Sequence, residues 1–452
     1  MPAFTPDFLA RASGGHWSAV PRSPLSGFAT DSRQLRPGQV FVAIATAQRD
    51  GHDFLTAAAA AGAPAAIVSA PRPALALPQL VVADPLAAFQ AIARAHRRGF
   101  SGPVAAVTGS AGKTSTKNLL ALLLGASPDA HDSPVLATEG NLNNHLGVPL
   151  TLTRLDPGRH RYAVVEAGIS APGEMAPLAA MIEPDLALVT LIAPAHLADL
   201  GGLEGVAREK AVLAAGVRPG GLALFPPACS EFAAFRALTV PTRIVAAAVR
   251  QLGDWTEITL GEASPPFRMR RVSAGMASNA GLAISAALRL GISPEVVQSR
   301  LAHWSPAPLR GEVRRDGGRL LYLDCYNANP AAMADALAAF AFLAPAGRPR
   351  LFVLGCMEEL GAESASYHRA LGAELRLGPA DRAVLIGEQA EQIRVGARAV
   401  GARDDQLTIA GTPEGAAGIV AGFAGAIFIK GSRRYRLETL VPASAGARAG
   451  AH

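Results

Sequence analysis

The sequence predicts an α/β protein built from three units in series, a small α/β domain followed by two larger domains with mostly parallel sheets. Three observations carry this. The chain has 452 residues, 50% of them hydrophobic and 17% charged, which is long enough for two or three separate cores. Short apolar runs alternate with helical patterns along most of its length, which argues for parallel strands joined by crossover helices. A shift in composition near "SPAPLRGEV" (305–313) separates two such alternating series.

Taken in order, residues 1–97 carry the strand candidates "GQVFVAIA", "AAIVSA" and "QLVVA" around the Ala-rich helix in "HDFLTAAAAAGA". "DPLAAFQAIARAHRRGFSG" then reads as a helix running into a linker. Within 98–307 the stretch "PVAAVTGSAGKTSTKNLLALLLGA" is strand, glycine-rich turn and helix. Further strands follow at "YAVVEAG", "LALVTLI" and "GLALFPP". Within 308–452, "RLLYLDCYN", "RLFVLGC", "RAVLIG" and "AIFIKGS" are four strands of a second doubly wound domain. Only the tail "VPASAGARAGAH" reads as disordered. No fixed-period repeat appears.

The formal net charge is +6, yet the arginines are scattered and no run of five like charges occurs. This argues against nucleic acid as a partner and leaves phosphorylated small molecules or a merely arginine-rich surface as equal readings. Three cysteines without CxxC spacing indicate neither a disulfide framework nor a zinc site, which suits a reducing compartment. The N-terminus "MPAFTPDFLARAS" has no basic region followed by an apolar core, and no stretch of about 18 apolar residues is uninterrupted. A cytoplasmic protein without stable membrane insertion is expected.

The strongest local signal is "VTGSAGKTST" (107–116), a shortened Walker A loop between an apolar strand and a helix. Here Gly109, Ser110, Ala111 and Gly112 allow backbone N–H groups to close around phosphate oxygens. Lys113 reaches the outer phosphates, the Thr114 hydroxyl suits Mg²⁺, and Ser115 follows in the first helical turn. ATP is the expected ligand. Glu166 ends the strand "RYAVVEAG" at the edge where open α/β sheets bind ligands, where it could hold a magnesium ion or be an ordinary surface acid. His196, in "LIAPAHLADL", also follows a strand. Asn141, Asn143 and Asn144 crowd into "TEGNLNNHLGVPLTL", as either a turn or a polar wall facing a substrate. "LDCYNANPAAM" ends a strand with Asp324, Tyr326, Asn327 and Asn329. Lys430, Ser432 and Arg433, in "IKGSRRYRLE", offer donors for a carboxylate or phosphate.

Of the 42 Lys+Arg residues only four are lysine: Lys113, Lys117, Lys210 and Lys430. A chain that so consistently uses arginine places a lysine in the helix "GVAREKAVLAAGV". Lys210 is therefore expected to serve a purpose that a guanidinium does not.

Taken together, these segments resemble the Mur ligases, ATP-dependent amide-forming enzymes of bacterial peptidoglycan synthesis and hence of cell-wall biogenesis, cell shape and division. The resemblance covers nearly the whole chain: "DSRQLRPGQVFVAI", "RDGHDF", "TGSAGKTSTK", "GNLNNHLGVPLT", "AHL", "YNANP", "LGCMEELG" with His368, and "KGSRRYRLE". "YNANP" and "KGSR" are nearest to the branch that adds D-alanyl-D-alanine. The "DNPR" typical of the tripeptide-forming branch is absent.

The resemblance implies a UDP-sugar domain over 1–97, a central P-loop ATPase domain over 98–307, and a Rossmann-like ligase domain over 308–452 that closes over the site. It implies UDP-MurNAc-tripeptide and D-alanyl-D-alanine as substrates, two Mg²⁺ ions, and a monomer. It further implies that Lys113, Thr114, Glu166 and His196 serve the phosphates and metals and that Lys210 is carbamylated. Asn279, Arg310, Asp324 and Asn327 would approach the nucleotide, and Asn141, Asn143, Asn144 and Asn329 the substrates. Asp31, Ser32 and Arg33 would meet the UDP-sugar.

Departures from the family pattern fall at Thr46 and Ala47, where Gly-Glu is usual, at Gly275 and Met276, where His-Asn is usual, and at Leu191 and Cys356. None removes a phosphate or metal group. They mark a divergent member with an altered grip on the two bases. The alternatives are an amino-acid ligase for another acceptor, a P-loop phosphotransferase, and a binding protein without catalysis. The intact Lys113, Thr114, Glu166, His196 and Lys210 argue against the last, and the Lys210, "YNANP" and "KGSR" segments against the phosphotransferase.

Overall fold

A computed structural model describes residues 2–127, 133–261 and 264–442. From residue 443 onward, the tail expected to be disordered lies outside them. In the N-terminal domain the strands Phe28–Ala29, Val40–Val42, Ala66–Val68 and Gln79–Val81 form a parallel ladder, and His16–Trp17 adds an antiparallel edge. Helix Pro85–Arg98 starts where the Asp84 carboxylate accepts from the N–H groups of Leu86 and Ala87, with proline in the first turn. It packs Phe89 and Ile92 into the sheet's core. At its end the buried Arg97 guanidinium donates to the carbonyls of Ile182 and Glu183 and to Asp185. The expected linker is thus tied to the central domain by buried hydrogen bonds.

The central domain holds six parallel strands in the order Thr242–Ile244, Leu222–Phe225, Leu186–Val189, Val104–Thr108, Tyr162–Glu166, Val135–Ala137. Strand side chains alternate between faces. Val104 and Ala106 join the core beneath helices Met175–Ile182 and Leu203–Ala215, whereas Ala105 and Val107 join that beneath Lys113–Leu124 and Ala274–Arg289. Burial on both faces explains why Val104–Thr108 reads as an unbroken apolar run. Connections leaving Val104–Thr108 run to one side of the sheet and those leaving Leu186–Val189 to the other, so the crevice between them is the topological switch point. In register, Val107 lies opposite Glu166 and Thr108 opposite Val189. The P-loop, Glu166 and the chain leading to His196 therefore leave the sheet at one edge.

A three-stranded antiparallel sheet, Ala248–Leu252, Trp255–Thr259 and Phe267–Arg270, completes this domain and was not expected from the sequence. Its outer strand is exposed throughout, so it lacks the alternation that marks a half-buried strand.

The C-terminal sheet runs Glu312–Asp316, Arg319–Leu323, Ala426–Lys430, Arg350–Gly355, Arg382–Ile386, Leu407–Ala410, with only the first strand antiparallel. The four expected strands are its interior. The two unexpected ones are its edges, one charged and one exposing Thr408 and Ile409. Helices Pro330–Leu343, Ser364–Glu374 and Ala390–Ala399 cover one face and Pro413–Gly422 the other. Among the described residues no helix is long and apolar enough to cross a membrane, and all three cysteines are free and buried.

Candidate active site

A cavity of about 1070 Å³ opens between the central and C-terminal domains at the switch-point edge. The P-loop forms its floor. Helix Lys113–Leu124 begins without a side-chain cap, directly after Gly112 in the left-handed region at φ 78°. Its first N–H groups are thus left for a ligand, and its dipole favours an anion there. Lys113 Nζ donates to the Gly109 carbonyl at 2.8 Å. Burial pulls the Lys113 ammonium below its ordinary pKa, with Glu166 acting against the shift and Arg310 adding to it.

Glu166 is the hub of the floor. Its Oε2 accepts from the Thr114 hydroxyl at 2.9 Å and its Oε1 from Asn143 Nδ2 at 2.8 Å, while its backbone N–H donates to Thr138 Oγ1 at 2.9 Å. Buried Lys117 donates to the Thr138 carbonyl at 2.5 Å, holding the strand end that supports Glu166. Of the three asparagines expected to form a polar wall, all line the cavity. Asn143 fixes Glu166, and Asn144 caps its own turn by accepting from the N–H groups of Leu146 and Gly147.

Ser110 and Thr190 stitch the P-loop to the neighbouring strand end: Ser110 Oγ donates to the Ala193 carbonyl and Thr190 Oγ1 to the Ala111 carbonyl. That strand end delivers His196, whose backbone sits at φ 52° just before the short helix Leu197–Leu200. His196 lines the cavity, and its Nδ1 lies 2.6 Å from Glu359 Oε2 of the C-terminal domain. The alignment is too poor for a hydrogen bond, which leaves this buried nitrogen without one.

Lys210 faces the interior from helix Leu203–Ala215, only 3% exposed and near enough to Lys113 and His196 for their charges to interact. Among the described residues none pairs with its amine. Burial drives its pKa well below the ordinary lysine value, and the charge of Lys113 adds to the effect. The same two lysines help burial to lower the pKa of His196. Lys113, His196 and Lys210 thus gather behind the P-loop, with Glu166, Glu359 and Glu209 among the acids acting on them and none of these ion-paired to Lys210.

From the C-terminal domain, Asn329 caps helix Pro330–Leu343 through Oδ1 and donates from Nδ2 to the Ser110 carbonyl at 3.2 Å, a direct bond to the P-loop. Arg310 stacks its guanidinium 3.8 Å from the centre of the Tyr326 ring. Asn327, Asp324 and Lys430 also reach the cavity. Lys430, expected to offer its charge to a ligand, spends it on Asp324 Oδ2 at 2.6 Å and on the carbonyls of Asp324 and Asn327. Ser432 and Arg433 lie off the cavity, with Arg433 paired to Glu438. Asp31, Ser32 and Arg33 also lie apart from it. They form a short turn in which Asp31 accepts from the Arg33 N–H, and the adjacent guanidinium holds the Asp31 carboxyl below its usual range.

A hard cation fits this donor set. Thr114 and Glu166 present a hydroxyl and a carboxylate in contact, and His196 lines the same cavity with its imidazole. Among the described residues no three His, Cys, Asp or Glu side chains converge. The protein alone supplies an incomplete shell, as suits an ion that keeps waters and substrate phosphates.

Family descriptions match along the chain: "Mur ligase family, catalytic domain" over residues 24–97, "Mur ligase middle domain" over 107–247, and "Mur ligase, glutamate ligase domain" over 309–433. The UDP-N-acetylmuramoyl-tripeptide–D-alanyl-D-alanine ligase of Escherichia coli is 33% identical, covering 82% of this chain and 83% of that one. The chain belongs to the Mur ligase family. The correspondingly named ligase of Bacillus subtilis is 32% identical over 82% of each chain. Among solved structures, MurF from Acinetobacter baumannii matches with a TM-score of 0.85 at 29% identity, over 97% of this chain and 98% of that one. The MurF ligase of Thermotoga maritima, solved in complex with ADP, matches at 0.77 and 25% over 92% and 96%.

In this Mur ligase the P-loop glycine next to Lys113 has a sharp requirement. A Cβ on Gly112 would lie 2.2 Å from Asn279 Nδ2, at a φ that side chains rarely adopt. Gly112→Ala is expected to raise the KM for ATP about tenfold and to lower stability by about 1–2 kcal/mol. Steady-state kinetics and urea unfolding check this. The residues that sequence reasoning left without a role are Glu359, Thr138 and Asp335, the last accepting from the Gly275 N–H across the domain boundary at 2.9 Å. "CMEELG" drew notice as a motif, but nothing local says that its second glutamate faces His196.

Proposed function

We propose that the chain joins D-alanyl-D-alanine to UDP-N-acetylmuramoyl-tripeptide with ATP, giving the pentapeptide, ADP and phosphate, in the cytoplasm and as a monomer. The observation that carries this reading is the single cavity onto which the P-loop, Glu166, His196 and the Asp324–Asn329 loop all open. The P-loop stands there beside polar groups of a second domain, which supports a reading in which one substrate is activated and another admitted. We assign residues 1–97 to the UDP-sugar, 98–307 to ATP and 308–452 to closure and the incoming dipeptide.

The tripeptide carboxylate is a poor electrophile. Its oxygen attacks the γ-phosphorus of ATP, the bond to ADP breaks, and an acyl phosphate results. The dipeptide amine then attacks the acyl carbon, and the tetrahedral intermediate collapses to amide and phosphate. Lys113 and the N–H groups after Gly112 hold the phosphates in line for the first step. Asn143 orients Glu166, and Asn329 ties the second domain to the P-loop. Thr114 and Glu166 would hold one magnesium ion, and His196 with carbamylated Lys210 a second; the ions supply neutralisation of phosphate charge.

ADP release from the purified protein with UDP-MurNAc-tripeptide, measured with and without D-alanyl-D-alanine, tests the proposal. Turnover that depends on the dipeptide is expected. Turnover that ignores the dipeptide, or appears only with another acceptor, would sink it.

A further inference from the structure

The two domains touch next to His196 through a small joint that the mechanism above leaves unused. Three contacts build it. Glu359 Oε2 lies 2.6 Å from His196 Nδ1. The Glu359 carbonyl accepts from the Leu197 N–H at 3.1 Å. Gly361 lies so close to Ala198 that an added Cβ would stand 3.3 Å from the alanine methyl. Between them Leu360 is buried.

The backbone on both sides is unusual. His196 has φ 52° and Glu359 φ 63°, both in the left-handed region and neither a glycine. Glutamate has no short side chain with which to hydrogen-bond its own backbone there, as asparagine does. A glycine at 359 would adopt this φ without strain, and the chain uses one two residues later, at Gly361. Strain kept at a non-glycine residue whose carboxylate points at an active-site histidine points to a use for that carboxylate.

We propose that Glu359 is a positioning residue: it fixes the His196 ring from the C-terminal domain, so that the histidine is correctly placed only when that domain is docked. This rests on the reading of His196 as part of the ligase site. Nδ1 faces Glu359 without yet being aligned for a hydrogen bond, so Nε2 is the ring nitrogen left for the cavity; once closure aligns the pair, a carboxylate behind an imidazole sets both tautomer and orientation. The carboxylate is half exposed, so it can part from His196 when the domains separate. Domain closure and assembly of the site then become one event.

The test uses the full-length protein and the substitutions Glu359→Gly and Glu359→Gln. Glu359→Gly removes the strain along with the carboxylate, so it keeps the fold. Both are expected to lower kcat about tenfold or more while the KM for ATP stays within about twofold, a split that a general loss of folded protein does not produce. Glu359→Gly in a His196→Ala background is expected to add nothing further, because it acts through that ring. Without any ligand, amide hydrogen exchange over Leu197–Leu200 is expected to quicken about tenfold in Glu359→Gly. An unchanged kcat, a loss that adds to that of His196→Ala, or unchanged exchange overturns the proposal. If the parent protein shows no dipeptide-dependent ADP release, the ligase reading fails separately, and the exchange comparison still decides whether Glu359 holds the joint.

Discussion

Lys210→Arg is expected to lower ligation at neutral pH by about a thousandfold or more, although it conserves charge. The argument begins with where the helix Leu203–Ala215 points. Its lysine side is packed into the protein, not toward water, and among the described residues no acid is hydrogen-bonded or ion-paired to the amine, Glu209 acting on it only from a distance. Burial and Lys113 both disfavour the ammonium and together outweigh the charge of Glu209, so the neutral amine is populated more readily than in an ordinary lysine. A neutral amine adds carbon dioxide, loses a proton and becomes a carbamate. The product is an anion, which the charge of Lys113 favours just where it disfavours a cation. Arginine stays charged at any accessible pH and forms no carbamate under these conditions, so the substitution places a fixed positive charge where the proposed carbamate would be negative. Lys210→Ala should recover part of the activity in added acetate or formate. The carbamate itself should appear as a labelled carbon resonance when the protein is equilibrated with ¹³C-bicarbonate. Full activity in Lys210→Arg would show that the lysine's rarity carries no meaning.

The sequence made this residue visible because four lysines among 42 basic residues is a compositional signal that needs no structure. Lys113, Thr114 and Glu166 were legible for a different reason: the phosphate loop is contiguous, and a carboxylate closing a parallel strand lies at the ligand-binding edge whatever the rest of the fold. The interior strands of both large sheets were legible because burial on two faces makes them unbroken apolar runs. Edge strands lack that pattern. Glu312–Asp316 and Ala248–Leu252 carry charged or exposed side chains and pair on one side only, so nothing in their residues separates them from loops. Contacts made across the domain boundary were equally hidden. Glu359 against His196, Asp335 against the Gly275 N–H, and Asn329 against Ser110 each join segments far apart in the chain, and no local spacing encodes such a meeting. Lys430 shows the opposite error. Its position at a strand end was legible, but its charge is already taken by Asp324, a partner more than a hundred residues away.

That pair gives the other large expected effect, on stability. Lys430 Nζ is buried, and it donates to the Asp324 carboxylate at 2.6 Å as well as to two carbonyls of the loop leading to Asn329. Burial already raises the Asp324 pKa, and Lys430 is the main group opposing that rise. Lys430→Met removes the opposing charge and leaves a carboxylate in the interior without its partner, at a cost of about 3–5 kcal/mol. The sign of the pH dependence follows from the direction of the shift. A carboxyl whose folded pKa is raised holds its proton in the folded protein when the unfolded chain has already lost it, so the folded state gains on acidification. The deficit of Lys430→Met is therefore expected to be largest above the raised pKa, for instance near pH 8, and to shrink as the pH falls toward the ordinary aspartate range. Adding Asp324→Asn to Lys430→Met removes the stranded charge and should restore about 2 kcal/mol. Urea unfolding of the two single variants and the double at two pH values measures all of this. A deficit independent of pH would mean that the loss comes from packing of the lysine stem and not from the charge it covers. Because the two carbonyls hold the segment carrying Asn329, the same substitution should also loosen the bond to Ser110 and raise the KM for ATP. In this way a stability pair inside the C-terminal sheet reaches the phosphate loop of the central one.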